Sequence, residues 1–173
     1  MQRQRKSEIT VEILQVETER QLTAVKTLFR QYFDWLAEVH HIDMTYQAVE
    51  AELAALPGYY APPEGRLLLV QEGETPLGCG ALRPLAPGIV ELKRMYVVPT
   101  ARRNGVGRAI ALRLLDESRL AGYQIARLDT ATFLPGAIAL YHSIGFRDRD
   151  PYYQVPEDVF IWTVFMELDL SQR

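Results

Sequence analysis

The chain has 173 residues, 48% of them hydrophobic, enough to fill the core of one domain, and a single unit over residues 1–173 is expected. Its net charge of −3 argues against nucleic acid or an anionic membrane surface as partner. No run of about eighteen apolar residues is present to span a bilayer, and no apolar segment of signal type follows the charged start, so a cytoplasmic setting is expected.

The predicted elements begin with a weakly alternating strand over residues 9–16. Thr18 and Gln21 are spaced as a capping box. Leu22, Val25, Leu28, Phe29, Tyr32, Phe33 and Leu36 then keep helical spacing to about Ala37. A second helix is expected over residues 46–56 and is stopped by Pro57 and Gly58. An aromatic, proline-stiffened loop follows at residues 59–63. Three closely spaced strands, residues 66–71, 76–83 and 89–98, should pair antiparallel. Cys79, the only cysteine, lies in the middle one; it excludes an intramolecular disulfide and fits a buried structural thiol.

Pro99 closes the third strand, and a helix begins near Gly105 with Val106, Ile110 and Leu114 on one face. It ends near Gly122 and leads to a strand at residues 124–130, a unit that should be parallel with a right-handed crossover. A short helix at residues 136–144, a strand around Phe146, a loop over 147–158 and a last strand over 159–168 complete the chain. That last segment is almost continuously apolar; a long hydrophobic edge strand would need cover, and a homodimer is the expectation drawn from it. His40, His41 and His142 show no ligand spacing, so no metal is expected.

The stretch from Arg102 to Arg108 reads as an anion cradle. The first N–H groups of a helix have no internal partner and carry the positive end of the macrodipole. Gly105 and Gly107 let an anion reach that backbone, and Arg102, Arg103 and Arg108 add forked donors suited to phosphate oxygens. A Walker A loop is excluded, because Arg108 and Ala109 follow Gly107 where Lys and Ser or Thr are required. A dinucleotide fingerprint is weak here: Asp129 ends a later strand as it should, but Ile110 takes the place of the third glycine.

A third pattern fits better. Arg102-x-x-Gly105-x-Gly107 directly after a strand resembles the acyl-CoA pyrophosphate loop of the GNAT superfamily of N-acyltransferases. Residues 137–146, with Ala137, Leu140, Tyr141, Gly145 and Phe146, are similar to a second block of that family. The resemblance covers roughly residues 67–168. It implies an α/β fold with a mixed sheet of about six to seven strands, flanked by about four helices and splayed at the central strand.

The resemblance further implies acetyl-CoA as co-substrate, its pantetheine arm along Met95, Tyr96 and Val97. Its pyrophosphate would lie on Arg102, Arg103, Asn104, Gly105, Val106, Gly107 and Arg108. The implied reaction is direct attack of a primary amine on the thioester, through a tetrahedral intermediate. The acceptor would be a small-molecule or peptide amine, and the low acidic net charge slightly favours a cationic or neutral one. Tyr141, protonated at neutral pH, is the candidate acid for the leaving thiolate. Glu91 on the central strand is the candidate base, acting through water, and Met95 N–H is a candidate oxyanion donor. Leu134 stands where the family often has asparagine, so one bond to the pantetheine arm is expected to be missing. A reading from another class is a non-catalytic acyl-CoA sensor or scaffold, which would need the glycine turn but neither Glu91 nor Tyr141.

Overall fold

The structure is a computed structural model that describes residues 11–43 and 48–171. One mixed sheet of seven strands runs in the order β1 (Val11–Gln15), β2 (Arg66–Glu72), β3 (Thr75–Ala86), β4 (Ile89–Val97), β5 (Ile125–Ala131), β7 (Thr163–Asp169) and β6 (Arg147–Arg149). Every neighbouring pair is antiparallel except β4 and β5. Helix α3 (Val106–Leu120) makes the crossover between those two. The remaining helices are α1 (Glu19–His40), α2 (Val49–Ala55), α4 (Pro135–Ser143) and the single turn α5 (Glu157–Phe160). The expected mixed architecture is therefore present, with seven strands and five helices.

Two apolar cores lie on opposite faces of the sheet. Leu68, Val70, Leu82, Val90 and Leu92 pack with Ile110 and Leu114 of α3. Leu67, Leu69, Cys79, Ala81 and Tyr96 pack with Val25, Phe29 and Leu36 of α1. Period-two alternation on the strands sorts these residues between the faces, except that Tyr96, of the same parity as Val90 and Leu92, is turned to the other face by a bulge in β4. The approach of α3 is close: a Cβ on Gly80 would lie 2.5 Å from Ile110 Cγ2, so only glycine fits beneath the helix. Cys79 is fully buried, its Sγ donating to Arg94 O at 3.5 Å, and burial pushes its thiol well above the ordinary range. It is an inert core residue.

Two irregularities shape β4. Between the pairs Cys79↔Tyr96 and Ala81↔Lys93, β4 carries one residue more than β3, and Arg94 takes up the excess at φ 57°. This β-bulge aims Arg94 at the α1 and α2 face, which Lys93 also lines. The second is a splay. The parallel ladder covers Ile89–Glu91 against residues 125–127 and stops there, although β4 runs on to Val97 and β5 to Ala131. Beyond Glu91 the two strands diverge, leaving the edge of β4 at Met95 to Val97 without a strand partner among the described residues.

The capping box forms as expected: Gln21 N–H donates to Thr18 Oγ1 at 3.3 Å and Gln21 Oε1 accepts from Thr18 N at 3.0 Å. Helix α1 runs three residues past the expected end and stops at His41, which adopts a left-handed cap (φ 55°) with its N–H on Leu36 O. Residues 9 and 10 of the expected first strand and residues 46 and 47 of the expected second helix lie outside the described residues. The last strand requires a correction. Residues 157–160 turn as α5 and β7 starts only at Thr163, because Pro156 opens a helical turn that Val159 anchors in the core. Nor is β7 an edge: it lies between β5 and β6, so the strand partners cover it and the ground for expecting a homodimer disappears. No helix among the described residues is long and apolar enough to cross a membrane.

Candidate active site

The glycine turn and the helix behind it form as the pattern suggests. Gly105 is the N-cap of α3 at φ 79°, a conformation that favours glycine, and no side chain caps the helix. A Cβ on Gly107 would meet Leu140 Cδ2 at 3.6 Å and Val97 Cγ2 at 3.8 Å, so this glycine faces the gap between α4 and the end of β4. The three arginines do not converge. Arg103 is exposed at φ 64°, and Arg108 reaches α4, donating to Ser143 Oγ at 2.9 Å. Arg102 turns back on β4: its Nε donates to Val97 O at 2.9 Å and its guanidinium lies 5.1 Å from the Trp35 ring and 5.8 Å from Tyr96. Asn104 is exposed and Val106 is buried in the core.

Tyr141 projects from α4 into the splay. It is 8% exposed, and its hydroxyl lies 3.4 Å from Met95 Sδ, so the candidate acid and the bulged part of β4 meet. Burial, with Tyr32 and Asp129 nearby, holds the phenol well above its ordinary range. The group keeps its proton at neutral pH. Leu134 is the N-cap of α4 and supplies no side-chain cap.

Glu91 faces the other way, towards α2, and is 1% exposed. Its Oε2 accepts from Arg83 Nε at 2.8 Å, its Oε1 accepts from Tyr152 Oη at 2.8 Å, and Lys93 Nζ stands 3.8 Å from Oε1. Tyr152 is itself held between Arg127 and Arg149, at 5.5 and 5.8 Å from its ring, and both arginines pair with Glu167. A carboxylate has about four lone-pair directions, so Glu91 can still accept from a water.

A cavity of about 230 Å³ opens beside Glu91, lined by Glu52, Arg83, Leu85, Glu91, Lys93, Arg94, Tyr153 and Gln154. Arg94 grips Glu52 of α2 with two bonds, at 2.8 and 2.6 Å, and Tyr60 Oη donates to Glu52 Oε1 at 2.8 Å. Burial opposes the charge on Glu52, but the Arg94 bonds outweigh it and hold the carboxyl below its usual range. The aromatic loop is thus tied to this cavity through Tyr60. A larger cavity of about 690 Å³ between α1 and α2, lined by Phe33, Ile42 and Val49, includes none of Tyr141, Met95 or the α3 turn.

Sequence spacing alone brings Glu91 and Lys93 to one face of β4. Glu52, Arg83 and Tyr152 come from three other elements, and no motif connects them. Arg94 was hidden for a further reason, because strict alternation puts it opposite Lys93 and only the bulge turns both to one side. No group of three or more potential metal ligands occurs among the described residues.

Residues 22–146, well over half of the chain, match the model of the Acetyltransferase (GNAT) family. An uncharacterized N-acetyltransferase of Schizosaccharomyces pombe is 34% identical over 94% of this chain and 96% of its own length. A GNAT-family acetyltransferase from Staphylococcus aureus Mu50 has the same fold, with a TM-score of 0.74 over 93% of this chain and 99% of that one at 18% identity. The acetyltransferase YncA of Salmonella typhimurium, solved with its cofactor acetyl-CoA, superposes with a TM-score of 0.65 over 94% of this chain and 95% of that one at 21% identity.

Proposed function

Because the chain belongs to the GNAT family and is an acetyl-CoA-dependent N-acetyltransferase, we propose that it acetylates a primary amine in the splay between β4 and β5, with Tyr141 as acid. Acetyl-CoA supplies the acetyl group already activated as a thioester. The turn from Arg102 to Arg108 holds its pyrophosphate through the free N–H groups of the α3 start, at Gly105, Val106 and Gly107. Arg103, Asn104 and Arg108 are at the surface to meet the phosphates, while Arg102 braces the turn against β4. The side of β4 that faces the splay at Met95, Tyr96 and Val97 has no strand partner among the described residues. It offers backbone groups to the pantetheine arm, Val97 O excepted because it accepts from Arg102, and Met95 N–H steadies the negative charge that develops on the carbonyl oxygen. Tyr141 gives its proton to the departing thiolate. The acceptor enters from the opposite face, and Glu91 takes the amine proton through a water.

The observation that carries this reading is the contact of the buried Tyr141 phenol with Met95 inside the one gap of the sheet. Replacing Tyr141 with Phe keeps the ring packed on Phe146 and removes only the proton. Turnover should fall by roughly 10²–10⁴-fold while calorimetry shows acetyl-CoA binding unchanged. Unaltered turnover would remove Tyr141 from the mechanism. Tight binding without acetylation across a broad amine panel would favour the sensor instead.

A further inference from the structure

The cavity beside Glu91 is lined by three cations, Arg83, Lys93 and Arg94, and two carboxylates, Glu52 and Glu91, and their bonding is uneven. Arg94 and Glu52 satisfy each other at hydrogen-bond distance, and each oxygen of Glu91 accepts one bond, from Arg83 and from Tyr152. Lys93 is different. Its side chain is 8% exposed, yet Nζ approaches only Glu91 at 3.8 Å and Asp129 at 3.6 Å, and it makes no hydrogen bond among the described residues. An ammonium has three donors, and burying them unfilled is unfavourable. The Asp129 side chain, 18% exposed, likewise makes no hydrogen bond among the described residues, and its one charged neighbour there within ion-pair distance is Lys93. Arg83 spends Nε on Glu91, its terminal nitrogens make no hydrogen bond among the described residues, and it lines the cavity together with Lys93.

The placement of these three groups follows from the splay. Glu91↔Arg127 is the last pair of the parallel ladder, and Lys93 and Asp129 each lie two residues beyond it, facing each other across the gap. Lys93 is also two residues before Met95, with the bulge at Arg94 between them. Asp129 is close enough to Tyr141 to raise its phenol. A ligand in the cavity thus meets Arg83 and Lys93 in its lining, and Asp129, outside that lining, stands 3.6 Å from Lys93 on the side of the splay.

Resting on the acetyltransferase reading above, we infer that the acceptor is a small amino acid or similar zwitterion, its carboxylate held by Arg83 and Lys93 and its amine directed by Asp129 towards Met95. The ligand completes the hydrogen bonding that Arg83, Lys93 and Asp129 leave open, and its carboxylate suits a lining with three cations to two carboxylates. A polyamine would lack a partner for Lys93 and Arg83. A carboxylate without an amine would leave Asp129 unfilled.

The test uses thiol release by the full chain with matched acceptors: amino acids, their C-terminal amides, and the amines lacking the carboxyl group. The free amino acids should have the higher kcat/KM, by about tenfold or more, the usual weight of one charged hydrogen bond. In Lys93→Gln, KM for the amino acid should rise by a similar factor, while KM for the amide and for acetyl-CoA stays within about twofold. Arg83→Lys, which keeps a cation beside Glu91, should act in the same direction. Amides or simple amines preferred over amino acids, or equal losses for both in Lys93→Gln, would overturn the inference and leave the acetyltransferase reading standing. Calorimetry with acetyl-CoA alone reports on that reading separately. If no acceptor turns over, calorimetry of the same pairs on the CoA-loaded chain decides the inference, amino acid binding above its amide supporting it and equal binding refuting it.

Discussion

The turn at the start of α3 and the charged cavity beside Glu91, the two halves of the proposed reaction site, are built in opposite ways. The turn comes from seven consecutive residues, is largely exposed, and binds through backbone that a local pattern exposes. The cavity is assembled from α2, β3, β4 and the loop after β6, is half-buried with Glu91 and Arg94 themselves buried, and depends on ion pairs between residues as far apart as Glu52 and Arg94. A backbone anion site needs only a helix start and glycines, so it can be local and still work. A site that must hold charges away from water needs each one partnered, and partners at hydrogen-bond distance come from several elements. The first half should therefore tolerate substitution without loss of fold, and the second should not.

The sharpest way to break this contrast is Arg94→Ala. The guanidinium is 7% exposed, bonded twice to Glu52 and set 5.1 Å from the Phe33 ring; its removal leaves the Glu52 carboxylate buried with only Tyr60. A loss of about 3–5 kcal/mol is expected, seen as a fall in Tm of roughly 10 °C by calorimetric melting. A Tm within about 2 °C of the parent would show that the cavity is not structural in this sense.

Gly107→Asp probes the other half. The Cβ has room, and a carboxylate in the first turn of α3 suits the helix macrodipole, so Tm should hold or rise slightly. The same charge repels the pyrophosphate, and acetyl-CoA affinity should drop by about 2–3 kcal/mol, some thirty- to hundredfold in calorimetry. Affinity unchanged in the folded variant would sink the assignment of this turn.

The smallest effect is in the acid range. The Glu52 carboxyl titrates below its usual value in the folded chain, so the stability it contributes is complete above the unfolded value near about 4.3 and is lost as pH falls through the lower folded value. Glu117 and Glu167, each between two arginines, shift in the same direction. Glu52→Gln should start less stable at neutral pH and show a shallower decline of Tm between about pH 5 and 3. Parallel curves for the two proteins would mean that Glu52 is not held charged by Arg94.

What the amino-acid sequence determined by itself was whatever rests on short-range periodicity and local chemistry. Thr18 and Gln21 announced the start of α1; Pro99, Gly105 and Gly107 announced the turn; the short connections between β2, β3 and β4 announced three antiparallel neighbours. Even the family was legible, because Arg102 to Gly107 and Ala137 to Phe146 are contiguous. Where the last strand begins was misjudged, since apolarity from Val159 onward does not distinguish a strand from a helical turn anchored in the core. Its place between β5 and β6, like every non-local pairing, is invisible to periodicity. The same limit governed the site. Glu91 could be named, but not that Arg83 and Tyr152 each bond one of its oxygens. Lys93 and Asp129 were ordinary strand charges until the splay set them opposite each other and withheld their partners. Only tertiary structure decides such things, because the state of a buried charge depends on the few ångströms around it, and those are supplied by residues far away in the chain.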